Sequence, residues 1–104
     1  MQKFKDMLET LEDASDVKKI IITSVSGEEV GVIENKPGSL GSIKLYHHLF
    51  LTFGELSIDA ALEGLDLYSE HMEDAQNSPG KHPNVDRLLD IIETEEALKI
   101  EIIK

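Results

Sequence analysis

The side chains able to do chemistry in this chain are few. Four histidines, His47, His48, His71 and His82, have Glu70, Asp74 and Asp86 nearby in sequence. His71 and Asp74 stand three residues apart, so on a helix they share a face. Both would reach a divalent ion if another element supplied a third ligand. Neither H-E-x-x-H nor a paired spacing of comparable specificity is present, so no metal ligand and no cofactor is assigned. His82, in a polar loop with Lys81, Asn84 and Asp86, suits a general base oriented by a carboxylate. Ser39, Ser42 and Ser69 offer hydroxyls without G-x-S-x-G or another activating context. These residues assign no catalytic group and decide neither for nor against an enzyme.

A second constellation is the pair of turns Lys36-Pro37-Gly38-Ser39 and Ser78-Pro79-Gly80-Lys81. Each carries a lysine and precedes an expected helix N-terminus, where free backbone N–H groups and the helix dipole favour an anion. Residues 35–54 contain Lys36 and Lys44 but no acid, a local reversal in a chain of formal net charge −11. The loop KPGSLGS does not fit G-x-x-x-x-G-K-[ST] and is no Walker A motif. The plain alternative is that Pro and Gly only shape turns, and that the acid-free run is a buried helix. The candidate ligand-binding residues are Lys36, Ser39, Ser42, His48, His71, Lys81 and His82. A phosphate, a carboxylate or another small anion is the expected ligand.

The elements that must position these residues follow from periodicity. Phe4, Met7, Leu8 and Leu11 mark a short amphipathic helix over 3–14, ended by Asp13-Ala14-Ser15-Asp16. Residues 17–25 (VKKIIITSV) are a β-branched strand whose three consecutive isoleucines predict burial on both faces and a central place in a sheet. Ser26-Gly27-Glu28-Glu29 turns the chain into a returning strand over 30–34. Pro37-Gly38 has the signature of a type II turn, and Ser39 or Ser42 then caps a helix to about Phe53. That helix is apolar almost all round, with Lys44, His48 and Thr52 as a narrow polar strip. His47 falls on its apolar side, which predicts a buried ring hydrogen-bonded inside the helical hairpin.

After a break at Gly54-Glu55-Leu56, Ser57 caps the longest expected helix, over 57–77. Its buried face carries Ile58, Ala61, Leu62, Leu65, Tyr68, Met72 and Ala75. A final helix spans about 85–93, with Pro83 and Asn84 suited to its start. Residues 98–104 alternate as a strand with one wet face, except at Ile103. The whole, residues 1–104, reads as one α+β domain in the order α-β-β-α-α-α-β. A small, largely antiparallel three-stranded sheet, made of the hairpin and the C-terminal strand, packs on the helical hairpin of 40–77 and two shorter helices. A parallel placement of the last strand beside the first is equally allowed.

Composition bounds the partners. One hundred and four residues suffice for a single core without staples, and there is no cysteine for a disulfide or thiolate site. Ten basic residues against 21 acidic ones repel nucleic-acid backbones and anionic membranes. No run is apolar for long enough to span a bilayer. The beginning, MQKFKDMLETLED, acquires acids at once, unlike a secretory signal, so the expected location is the cytoplasm.

The words NKPGSLGSIKLYHHL, AALEGLDLYSEHMEDA and PGKHPNVDRLL resemble a family of small bacterial proteins of unknown function, about this length. The similarity covers most of the chain and implies a bacterial cytosolic origin, with no activity and no catalytic residues attached. Two functional expectations stand side by side. One is a non-enzymatic binding or interaction module, acidic and cytosolic. It would form a homodimer through a sheet edge or the helix over 40–53. The other is a small-molecule or anion site, catalytic or metal-assisted, built from the two Pro-Gly loops and the histidines.

Overall fold

The computed structural model of the protein describes residues 4–37, 39–78 and 80–104. Strand β1 (Lys19–Thr23) lies between β2 (Glu29–Glu34) and β3 (Lys99–Ile103), and both pairings are antiparallel. The parallel alternative for the last strand therefore does not occur. Ile20 and Ile22 are completely buried on the inner face, beside Ile33 and Ile100. Ile21 points the other way, opposite Val32 and Glu101, and is only half-buried. The isoleucine run is central as expected, but only one of its faces is dry. Among the described residues the outer face stays largely open, with Val30 and Val32 exposed, as is common for antiparallel sheets.

The helices layer onto the inner face. After α1 (Phe4–Leu8) the chain turns through Leu11, well short of the helix expected over 3–14. Asp13 then accepts hydrogen bonds from the N–H and hydroxyl of Ser15, so the expected stop at Asp13–Asp16 operates locally. Helix α2 (Leu40–Phe53) has the expected limits and ends at Gly54. It is covered largely by its own domain, burying Ile43, Leu45, Tyr46, His47 and Leu49, while Leu40 and Leu51 stay exposed. Helix α3 (Ile58–Tyr68) starts where Ser57 accepts a hydrogen bond from the Ala60 N–H, a side-chain cap of the expected kind.

The segment expected as one helix over 57–77 is divided. Ser69 adopts φ 52° and ψ −117°, a strained conformation for a residue with a Cβ, and α4 (Glu70–Asn77) sets off in a new direction. The hydrophobic periodicity continues through the break, so periodicity alone could not reveal it. The buried face of α3 also differs from the one read in sequence. Ala60, Ala61, Gly64, Leu65 and Tyr68 are buried, whereas Ile58 and Leu62 are exposed.

Helix α5 (Pro83–Thr94) begins with proline at its first turn, where a missing N–H costs nothing. Asn84 lies inside this helix, and His82 is the residue that precedes it. A Leu56–Leu98 bridge ties the α2–α3 connection to the chain entering β3. Where α3 crosses α5, Gly64 faces Leu88 and Leu49, both fully buried. Each wholly buried aliphatic side chain of this core contributes roughly 1.5–3 kcal/mol.

Candidate functional site

Helices α2 and α5 are pinned together at the point where both begin to matter for the site. The Tyr46 hydroxyl, on a fully buried side chain of α2, donates to the Asn84 carbonyl at the start of α5. Arg87 donates from Nη1 to the Tyr46 hydroxyl at 3.2 Å and to Asn84 Oδ1 at 2.9 Å. Burial pushes the Tyr46 phenol up to about 12, with Arg87 pulling the other way, so the ring keeps its proton. The loop before α5 folds back onto it, with the Gly80 N–H donating to Asp86 Oδ2 at 3.0 Å. Gly38 and Pro79, which belong to the two expected Pro-Gly turns, lie outside the described residues.

These braces place four aromatic rings in a row along one wall of a cleft. Tyr68 stacks on Phe4 at 5.1 Å between centroids and 17° between planes. Phe4 meets His71 edge-on at 4.9 Å, and His71 meets His82 at 5.3 Å. The Phe4 N–H donates to Glu70 Oε1 at 2.8 Å, which ties α1 to the start of α4 and sets the ring in place. Tyr68, before the break at Ser69, and His71, after it, both line the cleft. The Tyr68 hydroxyl shares a 2.8 Å hydrogen bond with Ser42 Oγ, and burial raises its pKa well above the ordinary 10.0.

Asp74 organises the polar end. His82 Nε2 lies 2.6 Å and Lys81 Nζ 3.1 Å from the same carboxylate oxygen, Oδ2. An ionised carboxylate only accepts, so Nε2 carries the proton in this bond, and His82 Nδ1 is the nitrogen left for a ligand. Hydrogen bonds from His82 first and Lys81 second hold the Asp74 carboxyl below its ordinary 3.8. A group lowered in this way stabilises the fold above its unfolded pKa, and the contribution is lost as pH falls through the folded value. In an NMR titration the Asp74 carboxyl is therefore expected to turn over below 3.8, and His82→Ala should move the midpoint back up. Identical midpoints in the two proteins would mean that the bond does not form in solution.

The resulting cleft has a volume of about 340 Å³ and is lined by Ser39, Ser42, His71, Lys81 and His82, together with Phe4, Tyr68 and Asn84. Five of the seven candidate residues are thus brought together. Lys36 lines an adjoining cleft of about 560 Å³, whose wall shares Ser39, Pro83 and Asn84 with the first. Ser39 and Lys81 thus line one cleft, and Lys36 lines the next. Lys36 is not free there, since its Nζ lies 3.0 Å from Glu34 Oε2. His48 lines neither cleft. Its Nε2 bonds Glu63 Oε2 at 2.8 Å, joining α2 to α3, because the polar strip of α2 faces α3 there and not the loops.

His71 and Asp74, expected to share a helix face toward a metal ion, do not act together, since Asp74 is taken by His82 and Lys81. Among the described residues, no three His, Asp or Glu side chains are grouped to hold a metal ion. His47 is 7% exposed as expected, but its Nδ1 has no hydrogen-bond partner among the described residues. Its helix neighbours Ile43, Phe50 and Leu51 carry no polar side chain to serve it. Sequence reasoning missed Phe4, Tyr68, Asn84 and Arg87. For Arg87 a signal existed, since it is the sole arginine among ten basic residues.

A family model described as an uncharacterized protein conserved in bacteria, DUF2322, matches residues 4–102. The chain belongs to that family. The match spans the described elements except the last residue of β3, and includes all the residues that line the two clefts. No curated protein and no solved structure matches the chain significantly. Among the described residues no helix of this DUF2322 member is long and apolar enough to cross a membrane. Family membership carries no activity, so the chemistry of the site has to be argued from its geometry.

Proposed function

We propose that the protein is a non-catalytic binding module that takes a small carboxylic acid with an apolar or aromatic body in the 340 Å³ cleft. The observation that carries this reading is the convergence of loop and helix residues on one concavity. Phe4 and Tyr68 supply an apolar wall, while His71, Lys81 and Ser42 supply donors and His82 orders the polar end through Asp74. Small-ligand sites commonly combine an apolar lining with a few placed polar groups in this way. Lys81 is shared with Asp74, so the cleft carries little net field, which suits a monoanion better than a multiply charged group. A binding role fits better than catalysis because the Ser42 hydroxyl bonds to Tyr68 and not to a histidine. General acid–base chemistry is the second reading, favoured by the 2.6 Å His82–Asp74 pair.

Benzoate and acetate, titrated at constant ionic strength, test the proposal. Benzoate is expected to raise the melting temperature of the wild type by mass action, and to do so more than acetate. A His71→Ala/Lys81→Ala variant should lose most of that response. An equal response in the variant would overturn the assignment of the cleft.

A further inference from the structure

Arg87 is the one arginine among the ten basic residues of this chain. In a protein with 21 acids, its guanidinium has no carboxylate within ion-pair distance among the described residues. It is half-buried, with its Cζ 5.7 Å from the centre of the Tyr46 ring. Nη1 serves Tyr46 and Asn84, while Nε and Nη2 have no hydrogen-bond partner among the described residues. Those two nitrogens lie against Gly31 on β2, where a Cβ would come within 2.5 Å of Nη2 and 3.1 Å of Nε. The strand thus makes room for the guanidinium by omitting a side chain.

The two sides of Arg87 differ in charge. One opens on a groove flanked by Asp86, Asp90 and Glu96, which repels anions. The other opens on the 560 Å³ cleft, where Lys19 and Lys36 join Arg87 against Glu29 and Glu34. That cleft carries a surplus of cations in a molecule of net charge −11. A guanidinium offers Nε–H and Nη2–H as a planar fork matching two oxygens of an oxyanion, and two flanking ammonium groups suit a dianion. Anchoring by Tyr46 and Asn84 means little ordering is needed on binding.

We infer that the Arg87 cleft is a phosphate-binding site, separate from the aromatic cleft and independent of the carboxylate reading given there. Arg87 engages two phosphate oxygens through Nε and Nη2, and Lys36, exchanging its Glu34 partner for the anion, approaches another. The phosphate can come from inorganic phosphate or from a small phosphate ester.

The sole arginine makes the test direct, because its Nε–Hε group has a single cross-peak in a ¹H–¹⁵N spectrum. Inorganic phosphate and glycerol phosphate are each titrated into the full chain, with acetate as an ionic-strength control. A saturable shift of the Arg87 peak is expected with phosphate and not with acetate. Lys36→Ala removes an exposed cation without touching the core and should weaken phosphate binding about two- to fivefold, the loss of one screened charge contact. Arg87→Lys keeps the charge but loses the fork and should abolish the phosphate-dependent rise in melting temperature. Lys99→Ala, at an exposed residue of β3 outside both clefts, should respond to phosphate like the wild type. Tighter binding of glycerol phosphate than of phosphate supports an ester as ligand, and equal binding supports phosphate itself. A non-saturable shift, a shift matched by acetate, or an Arg87→Lys protein with the wild-type response would overturn the site.

Discussion

Leu65→Ala is expected to destabilise the domain by about 2–5 kcal/mol in chemical denaturation, as a truncation inside a packed core. Leu65 is 6% exposed on α3, in the same cluster as Ala61, Tyr68 and Leu88. Removing its isobutyl group loses transfer free energy and leaves a cavity that the fixed crossing of α3 and α5 cannot close. The informative control is Leu62→Ala, one turn earlier on the same helix. Leu62 is 53% exposed, and its truncation should change stability by less than about 0.5 kcal/mol. Both residues belonged to the buried face read from sequence, and the structure separates them. Equal losses in the two variants would mean that α3 is rotated about its axis relative to this description.

Gly64→Ala sets two effects of opposite sign against each other. Alanine in place of glycine inside a helix gains about 1 kcal/mol of intrinsic propensity. The new Cβ, however, would lie 2.7 Å from Leu88 Cδ1 and 3.0 Å from Leu49 Cδ1. Both leucines are fully buried, so neither can swing away, and overpacking of this kind costs roughly 1–3 kcal/mol. Packing is expected to win, leaving a net loss of up to about 2 kcal/mol in the midpoint of denaturation. Gly31→Ala is the contrast. Its Cβ would also be too close to a neighbour, but that neighbour is the far end of the Arg87 side chain, which can move. Stability should change little there. A stabilised Gly64→Ala protein would mean that α3 and α5 lie farther apart than described.

The parts of the fold that were legible in the sequence are those governed by local rules. Helix 40–53 was legible because a turn signal precedes it and Gly54 ends it, although neither Ser39 nor Ser42 caps it with its side chain. The Ser57 cap was legible for the same reason, since a hydroxyl before an apolar-periodic run serves the first free N–H groups wherever the helix lies. The central strand was legible from its β-branched run, though not which of its faces would be dry. That depends on what packs on each side, and only the inner face meets helices.

For the candidate site, local rules supplied the residue types and tertiary contacts supplied the partners. Ser39, Ser42, His71, Lys81 and His82 could be picked out by chemistry and by their place near turns. That they line one cleft follows from the Tyr46–Asn84 bond between α2 and α5, made between residues 38 positions apart. Spacing put Asp74 on one helix face with His71, but the folded chain gives it His82 and Lys81 from the next loop. His48 has the same ring chemistry as His71, yet the angle of α2 against α3 sends it to Glu63. Arg87 shows the limit most plainly. Sequence identifies it as the single arginine, while its lack of a carboxylate partner among the described residues and the gap left by Gly31 exist only once β2 and α5 meet. The sequence by itself determined which segments become helix or strand, because caps, turns and periodicity act within a few residues. The tertiary structure alone decided the break at Ser69, the partner of each charged group and the position of both clefts. Those depend on contacts between distant segments whose geometry no local pattern encodes.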